Sequence, residues 1–273
     1  MQNKQTMSYM DATGVIEYKM TNNYMFRFIL QKNQKVLKGL IASLLHLNPT
    51  ELKKVEIRNP INLAGNVSGK EFILDIEVML NDDTLINLEM QVANEHNWPE
   101  RSLSYACRSF DNLNRGADYE EILQVIHIGF LEFTLFKDVP EFYSEYKMMN
   151  VKNHRIYSDK FILRVVDLSK IELATEEDKA FQIDYWARLF KAETWEELKM
   201  LAKDNEYLQE AAESLYLANA DEMVRQQCYA RQDAEKRERY LVKHLKLAEE
   251  KIEEQNKIIQ ELQAQLSKMK QAD

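Results

Sequence analysis

Two neighbouring segments alternate apolar residues with acids and amides at a period of two. Residues 70–78 read Lys70-Glu71-Phe72-Ile73-Leu74-Asp75-Ile76-Glu77-Val78, and residues 86–92 read Ile86-Asn87-Leu88-Glu89-Met90-Gln91-Val92. Such a period is that of a β-strand, whose successive side chains face opposite sides. Between the two lies Asn81-Asp82-Asp83, a run of turn formers. The pair predicts two strands side by side. Ile73, Asp75 and Glu77 share one face, and Phe72, Leu74, Ile76 and Val78 share the other. Asn87, Glu89 and Gln91 lie opposite Ile86, Leu88, Met90 and Val92.

Two readings of the polar faces stand at this point. An antiparallel sheet with one face in water shows the same alternation. Against that, the polar positions carry acids and amides instead of the Lys, Thr and Arg of an exposed strand. Asp is depleted in strand interiors, so Asp75 needs a reason. Carboxylates from both strands that face one point repel each other unless a cation sits between them. Oxygen donors of this kind suit Mg²⁺ or Mn²⁺. Such an ion activates water and stabilises charge on a phosphoryl group. On this reading Asp75 and Glu89 are the metal ligands and Gln91 orients the water or touches the phosphate. An amide does not titrate near neutral pH, so Gln91 is no general base.

Composition narrows the alternatives. A net charge of −9 argues against a protein that lives by phosphate attraction alone. Nucleic-acid binding would then rest on a local patch or on bound cations. No apolar run approaches the roughly 18 residues of a membrane span, and the first residues lack the apolar stretch of a signal peptide. Cys107 and Cys228 are too few for a disulfide framework. These features predict a cytoplasmic protein without a membrane segment. There is no glycine-rich phosphate loop, so no nucleotide cofactor is expected, and no zinc spacing or Ser/His/Asp constellation.

The rest of the chain supplies context. Residues 1–20 have no clear periodicity and read as a flexible lead-in. From Tyr24, apolar residues recur at helical steps through Phe28, Val36, Leu37, Leu40, Ile41, Leu44 and Leu45 until Asn48-Pro49 stops them. Residues 54–58 predict a short strand, and residues 62–69 a loop. Trp98-Pro99-Glu100 opens a second helix that runs to Arg115-Gly116. Residues 122–136 read as one strand buried on both faces, and 161–167 as another. Everything after about residue 178 looks helical. The boundaries expected are a core over 21–178, a helical extension over 179–240 and a coiled coil over 241–273. In the last segment Leu245, Ile252, Ile259 and Leu266 recur every seven residues. Leu241, Ala248, Gln255, Leu262 and Met269 fill the alternate seam. A solitary charge-rich helix is the competing reading.

An Asp on one strand followed by Glu-x-Lys on the next is the pattern of PD-(D/E)xK nucleases. Here the second element is Glu89-Met90-Gln91, with Gln in the Lys place. The chain resembles one branch of that superfamily, the recombination-promoting nuclease / putative transposase family. Asn22 to Arg27, Asn59-Pro60, Lys70, Ile73 to Ile76, Arg101 to Tyr105, Gly116 to Tyr119 and Val125 to Ile128 carry the likeness. It continues more weakly through Trp186 and residues 225–231. The resemblance spans roughly residues 20–240. It implies an α/β fold: a mixed sheet flanked by helices, here followed by the helical extension and coiled coil. It also implies a Mg²⁺-dependent (or Mn²⁺-dependent) DNA endonuclease linked to recombination or transposition. Asp75, Glu89 and Gln91 would be its catalytic residues. Members often carry an Asp in the first helix where this chain has Asn23; an amide oxygen there is a weaker metal donor.

Other residues carry weaker signals. Arg101 and Tyr105 lie four apart on one helix face, as phosphate contacts or as a salt bridge and a packed aromatic. His127, in an apolar strand, reads as a hydrogen-bonded core histidine. Glu77, on the face of Asp75, has two readings, partial compensation for Asn23 or a plain surface residue, and the second is favoured. Expected partners are DNA and a second copy joined through the coiled coil. The alternative is a catalytically weak module of the same fold that binds DNA or protein.

Overall fold

The computed structural model describes residues 8–60, 76–111 and 116–270. Asp75, with the expected strand start over 70–74 and the loop over 62–69, lies outside them, as do residues 112–115.

The hairpin forms as the alternation demands. Strand β1 (Val55–Ile57) pairs antiparallel with β2 (Ile76–Leu80), which pairs antiparallel with β3 (Thr84–Gln91). Asn81 and Asp82 turn the chain with φ of 50° and 64°. Consecutive left-handed residues match the twist of the flanking strands, and Asn and Asp tolerate that conformation. A crossover through α3 (Trp98–Phe110) then makes β4 (Gln124–Leu131) parallel to β3. Strand β6 (Phe161–Asp167) lies parallel to β4, and β5 (Tyr143–Lys147) closes the far edge antiparallel to β6. The sheet is mixed, in the order β1-β2-β3-β4-β6-β5.

One face of the central strands is apolar. Ile76, Val78, Ile86, Leu88, Met90, Ile126, Ile128 and Phe130 join one buried core with the helices α1 (Asn23–Lys32), α2 (Gln34–Leu44), α5 (Ile183–Lys191), α6 (Trp195–Ala202) and α7 (Glu206–Ala220). Phe26 of α1 meets Phe130 and Phe190 edge-on at 5.5 and 5.7 Å. The short α4 (Glu176–Ala180) leads into α5. Helices α5, α6 and α7 thus share the core of the sheet and are not an appendage to it.

Several sequence expectations need correction. The first helical stretch breaks at Asn33, which has φ −117° and ψ 97°. Its Oδ1 caps Lys35 N and Val36 N at 3.1 and 3.2 Å, and its Nδ2 reaches Glu210 and Ser214 on α7 at 2.9 Å each. The apolar stripe hides this break because both helices bury against the same core. Residues 8–20 are pinned, not loose: Tyr9, Ile16, Tyr18 and Met20 are buried. Ile16 N donates to Glu193 O at 2.8 Å, and Tyr18 N to Asn219 Oδ1 at 3.0 Å. Strand β4 stops at Leu131, so Phe136 is exposed outside it. Strand β5 went unread because its Tyr-Ser-Glu-Tyr-Lys sequence is that of a half-exposed edge.

Helix α8 (Glu222–Lys270) buries Val224 and Cys228 in its first turns. Residues 232–273 form a separate unit, in which Leu241, Leu245, Ile252 and Ile259 are exposed. Among the described residues no helix is long and apolar enough to cross a membrane.

Gly129 of β4 lets α3 lie close to the sheet. A Cβ there would stand 2.0 Å from Cζ2 of Trp98. Gly129→Ala must displace the indole and is expected to cost about 1–3 kcal/mol, the usual range for overpacking. Urea unfolding should show a lowered midpoint at unchanged slope, with an altered Trp emission.

Candidate functional site

The second face of the sheet decides between the two readings of the hairpin. Every residue of β3 is buried, the polar ones included: Asn87 is 3%, Glu89 5% and Gln91 7% exposed. The face is therefore not an ordinary solvated one. Helix α3 covers it, with Trp98 over Gly129 and Ser109 Oγ donating to Glu77 Oε2 at 3.3 Å. Glu77 is half-buried, which corrects its reading as a surface residue.

Register places the polar groups in rows. Glu77 pairs with Asn87, Asn87 with His127, and His127 with Leu163. One step along, Glu89 pairs with Gly129. Asn87 Nδ2 lies 3.1 Å from His127 Nδ1, and His127 Nε2 lies 3.8 Å from Glu89 Oε2. The carboxylate favours the proton on Nε2, which leaves Nδ1 to accept from the amide. Burial, and then the Arg101 charge, push the His127 pKa down to about 4. The imidazole is neutral at physiological pH, and it is the hydrogen-bonded core histidine expected from the sequence.

Arg101 supplies the counter-charge. Its Nε donates to Glu89 Oε1 at 2.7 Å, and its Nη1 lies 3.9 Å from Glu95 Oε2. Burial works against the guanidinium charge, and Glu89 outweighs it, so its pKa stands above the ordinary value. A buried carboxylate costs several kcal/mol without such pairing. The Arg101 guanidinium also stands 5.5 Å from the Tyr105 ring, which stacks on His127 at 6.4 Å. The i, i+4 pair expected on this helix thus exists, and its partner is the candidate acid itself.

The other expected residues lie apart. Gln91 shares the face of Glu89, but its Nε2 donates to Ala93 O at 2.9 Å. Asn23 opens α1, which packs on the opposite, apolar face through Phe26. Its Oδ1 is buried without a hydrogen-bond partner among the described residues. Four residues on, the fully buried Arg27 donates to Gln31 Oε1 at 3.1 Å, and to Asn59 Oδ1 and the Asn59 carbonyl. Asn59 Oδ1 also accepts from Glu77 N at 2.9 Å, so Arg27 braces the start of β2. Its position on the helical stripe of Asn23 was the one sequence sign of that role.

Two oxygen donors of a type that suits a hard divalent ion lie on this strand. A buried carboxylate lies two residues from Asn87 Oδ1, a buried amide oxygen with no hydrogen-bond partner among the described residues. Oxygen donors of this type suit Mg²⁺ or Mn²⁺ better than softer metals. Among the described residues no three His, Cys, Asp or Glu side chains gather as a metal cluster.

The neutral His127 has a stability consequence. Its folded pKa, about 4, lies below the ordinary 6.5. The unfolded chain therefore takes up the proton first as pH falls. The stability tied to neutral His127 is complete above about pH 6.5 and is lost toward pH 4, amounting to about 3 kcal/mol. Urea titrations of wild type and His127→Asn across this window should show a steeper acid loss in the wild type. Equal slopes would contradict the assignment.

Comparison with curated proteins and with solved structures returned no match. A family model described as PD-(D/E)XK nuclease family transposase matches residues 20–245, well over half of the chain. That span includes the whole sheet, Asn23, Asp75, Gln91 and the paired Glu89 and Arg101. The chain belongs to the PD-(D/E)XK nuclease family transposases.

Proposed function

We propose that this chain is a divalent-metal-dependent endonuclease that hydrolyses DNA phosphodiester bonds in recombination or transposition. The observation that carries the reading is the burial of Glu89, an acid held on a central strand beneath α3, in a chain of this family. Asp75 immediately precedes Ile76, and Ile76 pairs with Leu88, the neighbour of Glu89. Asp75 and Glu89 are assigned as ligands of Mg²⁺ or Mn²⁺.

The bound ion would activate water and stabilise charge on the phosphoryl group. The protein's own groups do the rest. Arg101 pairs with the Glu89 carboxylate and is assigned the contact to a backbone phosphate. Gln91 orients the attacking water or hydrogen-bonds the phosphate. Neutral His127 packs beside the Glu89 carboxylate, with Nε2 3.8 Å from Oε2. Asn23 gives at most an amide oxygen at a position where, on the family resemblance, an Asp is often found.

One observation favours a second reading. Glu89 is already neutralised by Arg101, and Asn23 is not an acid. A chain of this fold that binds DNA without cutting it would look the same. Plasmid cleavage with Mg²⁺ or Mn²⁺ separates the two. Loss of a residue behind a metal ligand commonly costs about 10–100-fold, so loss of a ligand should cost more. Asp75→Ala and Glu89→Ala are each expected to reduce cleavage by more than about 100-fold at unchanged circular dichroism. No cleavage by wild type with either metal would end the endonuclease reading.

We further propose that the exposed seam of Leu245, Ile252 and Ile259 on α8 joins two copies as a coiled coil. Two active sites related by a two-fold suit a double-strand cut. Sedimentation should report a dimer for wild type and a monomer for a chain with Ile252→Glu and Ile259→Glu. A wild-type monomer would exclude this arrangement.

A further inference from the structure

The face under α3 changes character at His127. On its β2 and β3 side stand Glu77, Asn87 and Glu89; on its β6 and β5 side stand Leu163, Val165 and Tyr146. A pocket of about 160 Å³ opens on that apolar side. Trp98, Pro99, Ser102 and Leu103 of α3 form one wall, and Leu163, Val165 and Tyr146 another. Phe136 lies at its edge, 6.2 Å from the Tyr146 ring. Leu103 and Phe136, which line the pocket, are 45% and 46% exposed.

We propose that this pocket receives one unstacked, single-ring nucleobase of the DNA substrate. The inference rests on the DNA-hydrolase reading above. Its first support is position. His127 lines the pocket, and its Nε2 lies 3.8 Å from Glu89 Oε2. The pocket and the candidate acid are thus separated by a single imidazole, so a base in the pocket belongs to a nucleotide next to the one at Glu89. Size is the second. An apolar cavity of about 150 Å³ holds one benzene-sized ring. That matches a pyrimidine better than a peptide segment or a fused ring.

The lining chemistry is the third. Trp98, His127, Phe136 and Tyr146 offer aromatic surface, on which bases stack. The lining is almost wholly apolar. Ser102 Oγ donates to Pro99 O at 3.1 Å, and His127 Nδ1 accepts from Asn87 Nδ2 at 3.1 Å. Such a lining favours the shape of a ring over its hydrogen-bonding edge. Thymine and cytosine should be accepted alike.

The test is binding of a short fluorescein-labelled oligothymidine to the full chain in EDTA, so that no strand is cut. Each position is made abasic in turn. One position should stand out, with affinity falling about 5- to 100-fold when its base is removed, the range of base–aromatic stacking. Phe136→Ala and Tyr146→Ala, at surface-accessible rings, should bring the intact strand down to the abasic affinity and leave the abasic strand unchanged. DNA binding that is indifferent to base loss at every position overturns the pocket and leaves the nuclease reading intact. Absence of binding to any single-stranded or duplex DNA removes both. If the ring variants abolish self-association instead, a second copy fills the pocket and the proposal falls.

Discussion

The molecule turns on the burial of a charged carboxylate. Glu89 sits on a central strand with 5% exposure, a position that costs several kcal/mol unless the charge is compensated. Helix α3 provides the compensation. Arg101 binds the carboxylate, Trp98 lies over Gly129 beside it, and Tyr105 stacks on the neutral His127. The parallel crossover from β3 to β4 places this helix on that face. Without α3, the acids and amides of β3 would face water as an ordinary strand surface.

The hairpin, strand β6 and most helices were legible in the sequence because each has a strong period of its own. Asn81-Asp82-Asp83 turned the chain where their chemistry required. What the period could not give was the state of the polar face. Alternation is identical for a solvated face and for one roofed by a helix, and only tertiary packing separates them. The same limit hid the partnership of Asn87 with His127, forty residues apart and joined by a parallel register. Strand β5 was missed because an edge strand needs no apolar run, and residues 8–20 because pinning by single side chains and backbone bonds leaves no period.

The candidate site is thus half acidic and half aromatic, with His127 between. Helix α3 spans both halves: Arg101 and Tyr105 face the acid, and Pro99 and Leu103 face the pocket. One rigid element would in this way set both the reacting phosphate and the neighbouring base. The opposite face of the sheet, packed by α1, α2, α5 and α7, joins one buried core that holds the strands in register.

The central claim is that Glu89 holds a divalent ion on this buried face. Calorimetric titration of Mn²⁺ into wild type and Glu89→Gln tests it most directly, because Gln keeps the shape and removes the charge. The account predicts one site in the wild type that is lost or weakened at least about tenfold in Glu89→Gln. Equal Mn²⁺ binding by both proteins would contradict it.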